Sequence, residues 1–190
     1  MFRNMISDFL DRKLSKRFHA YDVNGDGVIE RGDFALAVER MGQAFGREPD
    51  DPEMQRVAEL NFAVWDRLVA HCDANSDGKV SEEEFKEASL SGSLETVDSF
   101  EEDYLPLINA ALDIADADRD GKLTATEFTL WAGSLLNHSQ PEIDEILRHF
   151  DRDDDGLISR EVVLASIREY FFNDSPDSAG SWVVDPSPGQ

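Results

Sequence analysis

Four short runs of acidic and amide side chains could each surround a hard cation. They start at Asp22 (DVNGDG), Asp73 (DANSDG), Asp116 (DADRDG) and Asp151 (DRDDDG). Oxygens at the first, third and fifth positions, a turning Gly at the sixth and an inward carbonyl at the seventh are the donors that calcium needs. The ion takes roughly six to eight oxygens, and few short segments supply them so densely. Two residues past each Gly stands an apolar side chain, Ile29, Val80, Leu123 or Ile158.

The twelfth position grades the four loops, because a Glu there contributes two oxygens at once. Loop 2 offers Asp73, Asn75, Asp77, the Lys79 carbonyl, Ser81 (directly or through water) and Glu84. Loop 3 offers Asp116, Asp118, Asp120, the Lys122 carbonyl, Thr124 and Glu127. Both are expected to bind calcium well. Loop 1 provides Asp22, Asn24, Asp26, the Val28 carbonyl and Glu30 but closes on Asp33, one methylene shorter than Glu. Fewer ligands and a tighter shell weaken calcium relative to magnesium, which wants a smaller octahedral site. Loop 4 has Asp151, Asp153, Asp155 and the Leu157 carbonyl, but its twelfth residue is Val162. Glu161 comes one residue early, and one step along a helix turns a side chain by about 100°. Loop 4 is therefore expected to be weak or empty, its surviving acids, Asp154 included, attracting at most a loosely held ion.

Helices must position these loops. Apolar residues at helical spacing precede each one: Phe9, Leu10, Leu14, Phe18 and Tyr21; Val57, Leu60, Trp65, Leu68, Val69 and Cys72; Ile108, Ala111, Leu112 and Ala115; Ile143, Ile146, Leu147 and Phe150. These stripes read as core. Exiting helices are expected around Phe34, Phe85, Phe128 and Val163. Asp51-Pro52-Glu53 and Ser139-Gln140-Pro141-Glu142 are helix starts, and Pro106 belongs near the beginning of the third incoming helix. The fold expected is all-α: four hands in two paired lobes forming a compact helical protein, with short β pairing of Ile29 with Val80 and Leu123 with Ile158. A Gly/Ser-bearing stretch at 89–96 separates the lobes, giving one pair of hands over 1–92 and another over 97–173. Residues 174–190 form a polar tail, either disordered or docked through Trp182, Val183 and Val184.

The charge follows the loops. Of a net −23 over 190 residues, the four twelve-residue loops carry −12, from 18 acids against six bases. Such crowding is repulsive unless a cation sits among the carboxylates. A surface this acidic excludes nucleic acid and anionic membrane as natural partners. The single Cys72 has no disulfide mate in the chain and reads as a core thiol. The N-terminus lacks a secretory apolar run, Phe2 stands where myristoylation requires glycine, and nothing reaches membrane-spanning length. A cytoplasmic monomer is the expectation.

Taken together, the loops resemble those of the EF-hand calcium-binding proteins. The unequal spacing of loop starts (51, 43 and 35 residues), the first loop closing on Asp in GDGVIERGDF and the Trp-bearing C-terminal extension narrow this. They are similar to the sarcoplasmic calcium-binding proteins and their prokaryotic calerythrin-like relatives. That resemblance implies a two-lobed intracellular calcium buffer, often with one degenerate hand. The alternative is a sensor that opens an apolar groove to a target protein. Sensor grooves favour Met, and the four here (Met1, Met5, Met41, Met54) all lie in the N-terminal half. A third reading, a luciferin-binding or photoprotein-like protein, needs a cavity lined by His, Trp and Tyr. His19, His71, His138 and His149 are instead expected in packing and surface roles. No nucleophile elbow, zinc-protease His pair or phosphate-cradling Gly loop is present, so no enzyme is expected.

Overall fold

Every loop is bracketed by a helix that stops at its first Asp and a helix that begins at its tenth residue. The computed structural model describes residues 7–92, 94, 96–151 and 155–175. Helices α1 (Asp8–Tyr21) and α2 (Arg31–Phe45) flank loop 1, and α3 (Pro52–Cys72) and α4 (Glu82–Leu90) flank loop 2. A short turn, α5 (Val97–Ser99), and a π-helical segment, Phe100–Tyr104, lead into α6 (Leu105–Ala115). Helix α7 (Ala125–Leu135) leaves loop 3, and α8 (Gln140–Phe150) and α9 (Arg160–Phe172) flank loop 4.

Local chemistry explains the ends. Asp51 caps α3, its carboxylate accepting from the Glu53 N–H at 2.8 Å, with Pro52 following. Ser139 and Glu142 close the expected capping box on α8. The four incoming helices end at Asp22, Asp73, Asp116 and Asp151 with φ between −86° and −72° and ψ between 74° and 81°. The exiting helices start at Arg31, Glu82, Ala125 and Arg160, three residues before the Phe or Val around which they were expected. The reason is the cap: Ser81, Thr124 and Ser159 at the ninth loop position each accept an N–H from the twelfth, so helix begins between them.

Pro106 stands in the first turn of α6, as expected, but a π-helical segment, Phe100–Tyr104, runs directly into that start. The Leu105 N–H reaches back to the Phe100 carbonyl, and this widened π turn lies where Pro106 can offer no N–H of its own.

Two antiparallel strand pairs join the loops. In one, β1 (Val28–Ile29) meets β2 (Val80–Ser81), with Ile29 opposite Val80. In the other, β3 (Lys122–Thr124) meets β4 (Leu157–Ser159), with Leu123 opposite Ile158. All four apolar partners are buried and run into a single core that includes Phe18, Leu68, Phe85, Leu112, Ile114 and Trp131. Each such burial is worth about 1.5–3 kcal/mol. Helix α2 packs on α7 and α3 on α6, so the two halves share this core.

The stripe on α1 is less apolar than its spacing suggested. Lys13 and Arg17 are buried beside Leu14 and Phe18. The Lys13 ammonium donates to the Asn173 carbonyl at 3.1 Å and to the Asp174 carboxylate at 2.6 Å. Burial lowers its pKa despite Asp174. The Arg17 guanidinium lies 4.3 Å over the Phe171 ring. Thus α1 is tied to the end of α9 and the residues just past it. Trp182, Val183 and Val184 fall outside the described residues.

Cys72 ends α3 inside the core, and burial, with the Glu84 charge behind it, pushes its thiol up to about 12. We therefore expect the folded protein to resist an aromatic disulfide reagent at about pH 8 and to react in denaturant. Rapid reaction of the folded form would show that the last turn of α3 opens.

Candidate metal centres

A loop that must present several oxygens to one point first has to be held open by its own backbone. The sixth residues Gly27, Gly78, Gly121 and Gly156 all have φ between 77° and 89°, the left-handed region that glycine enters without strain. With that turn made, each first-position Asp accepts N–H groups from across its loop. Asp116, for example, takes the Asp120 N–H at 3.1 Å on Oδ1 and the Gly121 N–H at 3.0 Å on Oδ2. Asp22, Asp73 and Asp151 do the same toward Asp26 and Gly27, Asp77 and Gly78, and Asp155 and Gly156. The fifth-position Asp26, Asp77, Asp120 and Asp155 each accept the N–H of the seventh residue, at 2.8–3.1 Å. These N–H bonds fix the carboxylates while leaving lone pairs for a cation. In loop 3, carboxylate oxygens of Asp116, Asp118 and Asp120 come within 4.8 Å of one another. Three hard oxygen donors converging from an exposed turn suit calcium or magnesium rather than a softer metal.

The seventh residues sit at the strand edge of each loop: Val28 in β1, Lys122 in β3, Leu157 in β4 and Lys79 immediately before β2. Asn24 and Asn75 stay in the loops, their side-chain oxygens each accepting the fifth-position N–H at 2.8 Å. Of the expected ligand residues Asp153, and with it the neighbouring acid Asp154, lies outside the described residues.

The loops differ at their closing side chains. One carboxylate oxygen of Glu84 accepts both the Ser81 N–H and hydroxyl, at 2.9 and 2.8 Å. Glu127 does the same with Thr124, and its other oxygen takes the Ala117 N–H at 3.3 Å. Asp33 is shorter and is drawn inside. It is fully buried, with one oxygen on the Asn24 N–H at 3.0 Å and the other on the Glu30 N–H at 2.9 Å. At Val162 no carboxylate arrives, and its side chain is exposed; only the Ser159 cap survives, at 3.3 Å from the Val162 N–H.

Electrostatics follow this division. Burial, with Asp22 and Asp26 nearby, lifts the Asp33 carboxyl above its ordinary value, outweighing the N–H bonds from Glu30 and Asn24. The Ser81 N–H holds Glu84 below its ordinary value. For Glu127 burial works against ionisation, but the Thr124 N–H and hydroxyl prevail and the value falls. Glu84 and Glu127 are thus preorganised anions, whereas Asp33 is a desolvated carboxyl that gains most from a neighbouring cation.

Three families of domain model match: an EF-hand domain pair over residues 11–90, an EF hand over 108–130 and a further EF-hand domain pair over 133–161. The chain is an EF-hand calcium-binding protein. It is 28% identical over 161 residues to calerythrin of Saccharopolyspora erythraea, covering 84% of this chain and 90% of that one. A solved Streptomyces coelicolor calcium-binding protein superposes with a TM-score of 0.72 at 26% identity, over 85% of this chain and 96% of its own. The sarcoplasmic calcium-binding protein from amphioxus shares the fold, with a TM-score of 0.68 at 17% identity over 96% and 100% of the two chains.

Several residues of this EF-hand chain escaped the motif. Lys79 of loop 2 reaches Glu30 of loop 1 at 3.2 Å, and Lys122 of loop 3 approaches Asp155 of loop 4 at 3.7 Å. Arg160, at the start of α9, contacts Asp113 at 2.7 Å, approaches Asp116 at 3.8 Å and gives its N–H to the Gly121 carbonyl. These cations join the loops of a pair by approaching donor carboxylates themselves, Glu30, Asp155 and Asp116. Their sequence signal was a basic residue at the seventh or tenth loop position. Nothing local named the partner. Among the described residues no helix is long and apolar enough to cross a membrane.

Proposed function

We propose that the protein is a non-enzymatic cytoplasmic calcium buffer with four unequal hands. Loops 2 and 3 are the strong sites, loop 1 is a site with reduced preference for calcium over magnesium, and loop 4 is weak or empty. The observation that carries this reading is the closing side chain. Glu84 and Glu127 are fixed over their loops as anions by capping-box hydrogen bonds, Asp33 makes the same cap with a buried side chain one methylene shorter, and Val162 brings no oxygen. Lys122 beside Asp155 adds positive charge where loop 4 is already short of ligands.

Val162→Glu is the direct test of loop 4. It supplies the missing bidentate carboxylate and the reciprocal half of a capping box with Ser159. Calorimetry should then show one additional calcium site, with affinity raised by about tenfold or more, the scale that even outer-shell support of a metal commands. No gain would mean that loop 4 is distorted beyond one absent ligand.

The buffer reading rests further on where the flexible side chains are. Met41 and Met54 are both buried in the core shared by the two halves. The sensor alternative draws on the Streptomyces coelicolor relative, whose structure is described as a basis for calcium-mediated regulation. An apolar-surface dye separates the two: little calcium-dependent change fits the buffer, and a large rise in binding fits the sensor.

A further inference from the structure

The second and third loops carry a lysine at the seventh position, Lys79 and Lys122, where the first and fourth carry Val28 and Leu157. That residue offers its carbonyl to its own ion, which leaves its side chain to act elsewhere. In both pairs the side chain reaches a donor carboxylate of the neighbouring loop. The register that sets Ile29 opposite Val80 brings Glu30, the ninth residue of loop 1, opposite Lys79. The Lys79 ammonium lies 3.2 Å from Glu30 Oε2. Among the carboxylates acting on this ammonium Glu30 is the strongest, followed by Asp26 of loop 1 and then Asp77 of its own loop.

In the other pair the target is the fifth loop position. Asp155 Oδ1 already accepts the Leu157 N–H at 2.8 Å, which leaves Oδ2 for a cation, and the Lys122 ammonium stands 3.7 Å from that oxygen. Val28 and Leu157 return no charge, so at this position the influence runs from the stronger loop to the weaker one. Arg160 runs the other way, but its guanidinium is committed to Asp113 at 2.7 Å and the Asn109 carbonyl at 3.3 Å. The Asp116 oxygen it approaches already accepts the Gly121 N–H. A divalent ion entering loop 1 or loop 4 therefore meets a positive charge among its donors, and like charges that close repel even in water. Both lysine side chains are about half exposed, which keeps the effect modest and sensitive to salt.

We propose that Lys79 and Lys122 widen the gap between strong and weak hands from across each pair: their ammonium groups face donor oxygens of loops 1 and 4 and hold those loops back from any divalent cation. This role presumes the ranking proposed above and gives it a cause outside the weak loops themselves. In loop 1 the two causes are separable. Asp33 governs which ion is preferred, through the size of the shell, whereas Lys79 governs how tightly either ion is held.

The test is a titration of the full chain with calcium, and separately with magnesium, followed by nuclear magnetic resonance of the Gly27, Gly78, Gly121 and Gly156 amides. Each of these N–H groups is bonded to the first Asp of its own loop and so reports that loop alone. Lys79→Gln should fill loop 1 at about threefold lower concentration of either ion, the scale of one exposed charge pair, with a larger gain at Gly27 than at Gly78. Lys122→Gln should bring the same gain at Gly156. Both gains should shrink as potassium chloride is raised, and Lys79→Arg should behave as the parent. Arg56→Gln removes an equal charge from α3, where it pairs with Glu59, and should move loops 1 and 4 less. Lysine variants whose weak loops fill at the parental concentrations overturn the proposal. So does an equal gain from Arg56→Gln, which would make net charge the cause, or a gain for one ion alone, since a charge acts on both divalent ions alike. Four loops that fill together in the unsubstituted chain would overturn the ranking itself, and this role with it.

Discussion

Glu84→Gln and Glu127→Gln will each remove one tight calcium site, lowering its affinity by on the order of 100-fold or more, since even outer-shell partners of a metal command 10–100-fold. The substitution is nearly isosteric, and a Gln oxygen can still accept the Ser81 or Thr124 N–H that starts α4 or α7. What disappears is one negative charge and one of two ligating oxygens. Helix starts therefore survive, and the deficit belongs to the ion. Calorimetric titration of each variant should show one tight site where the parent shows two. A variant that keeps both would show that the twelfth position does not rank these loops.

Removing calcium will have the second large effect. The loops concentrate 18 acidic side chains, and without cations these repel. An ion that binds the folded state alone adds about 4.1 kcal/mol per site at a free concentration 1,000 times its dissociation constant. Two strong sites then contribute about 8 kcal/mol. In a chain of this length about 1 kcal/mol moves the melting midpoint by roughly 2–4 °C, so chelation should lower it by on the order of 15–30 °C. Melting followed by circular dichroism with calcium and with chelator reads this directly, and each Glu→Gln variant should show about half the shift. Midpoints that coincide with and without calcium would mean that the loops hold no strongly bound ion.

The features legible in the sequence were the local ones. The loop bounds and the caps at Asp51 and Ser139 depend on residues a few positions apart, and the distant strand partners Ile29 with Val80 and Leu123 with Ile158 followed from the same eighth position in each loop of a pair. A side chain's chemistry and its spacing suffice there. Burial of Lys13 was not legible, because its partners Asn173 and Asp174 lie at the far end of the chain. The helical period placed Lys13 at the edge of an apolar stripe, and only the packing of α9 encloses it. The π turn before Pro106 was hidden for another reason. Proline forbids one N–H bond, and a chain can meet that by starting a helix or by widening one already begun.

The candidate site divides in the same way. That loop 1 closes on a short carboxylate and loop 4 on Val162 is written in the sequence. That Asp33 is drawn fully inside, and lifted above its ordinary pKa by that burial, emerges only from the folded loop. The histidines take the packing and surface places read for them: His19 is exposed, and His138 is half-buried beside the Glu142 that caps α8, both along an interhelical cavity. Motif reading sees the four loops because each is contiguous. The cavity is assembled from seven helices and has no contiguous signature.

The central claim is that four similar acidic phrases make unequal sites. Calorimetric titration of the unmodified chain with calcium, in the presence and absence of magnesium, tests it most directly. The account predicts two tight sites that persist with magnesium present, a third that weakens when magnesium competes, and a fourth that is nearly silent. Four equivalent tight sites would contradict it.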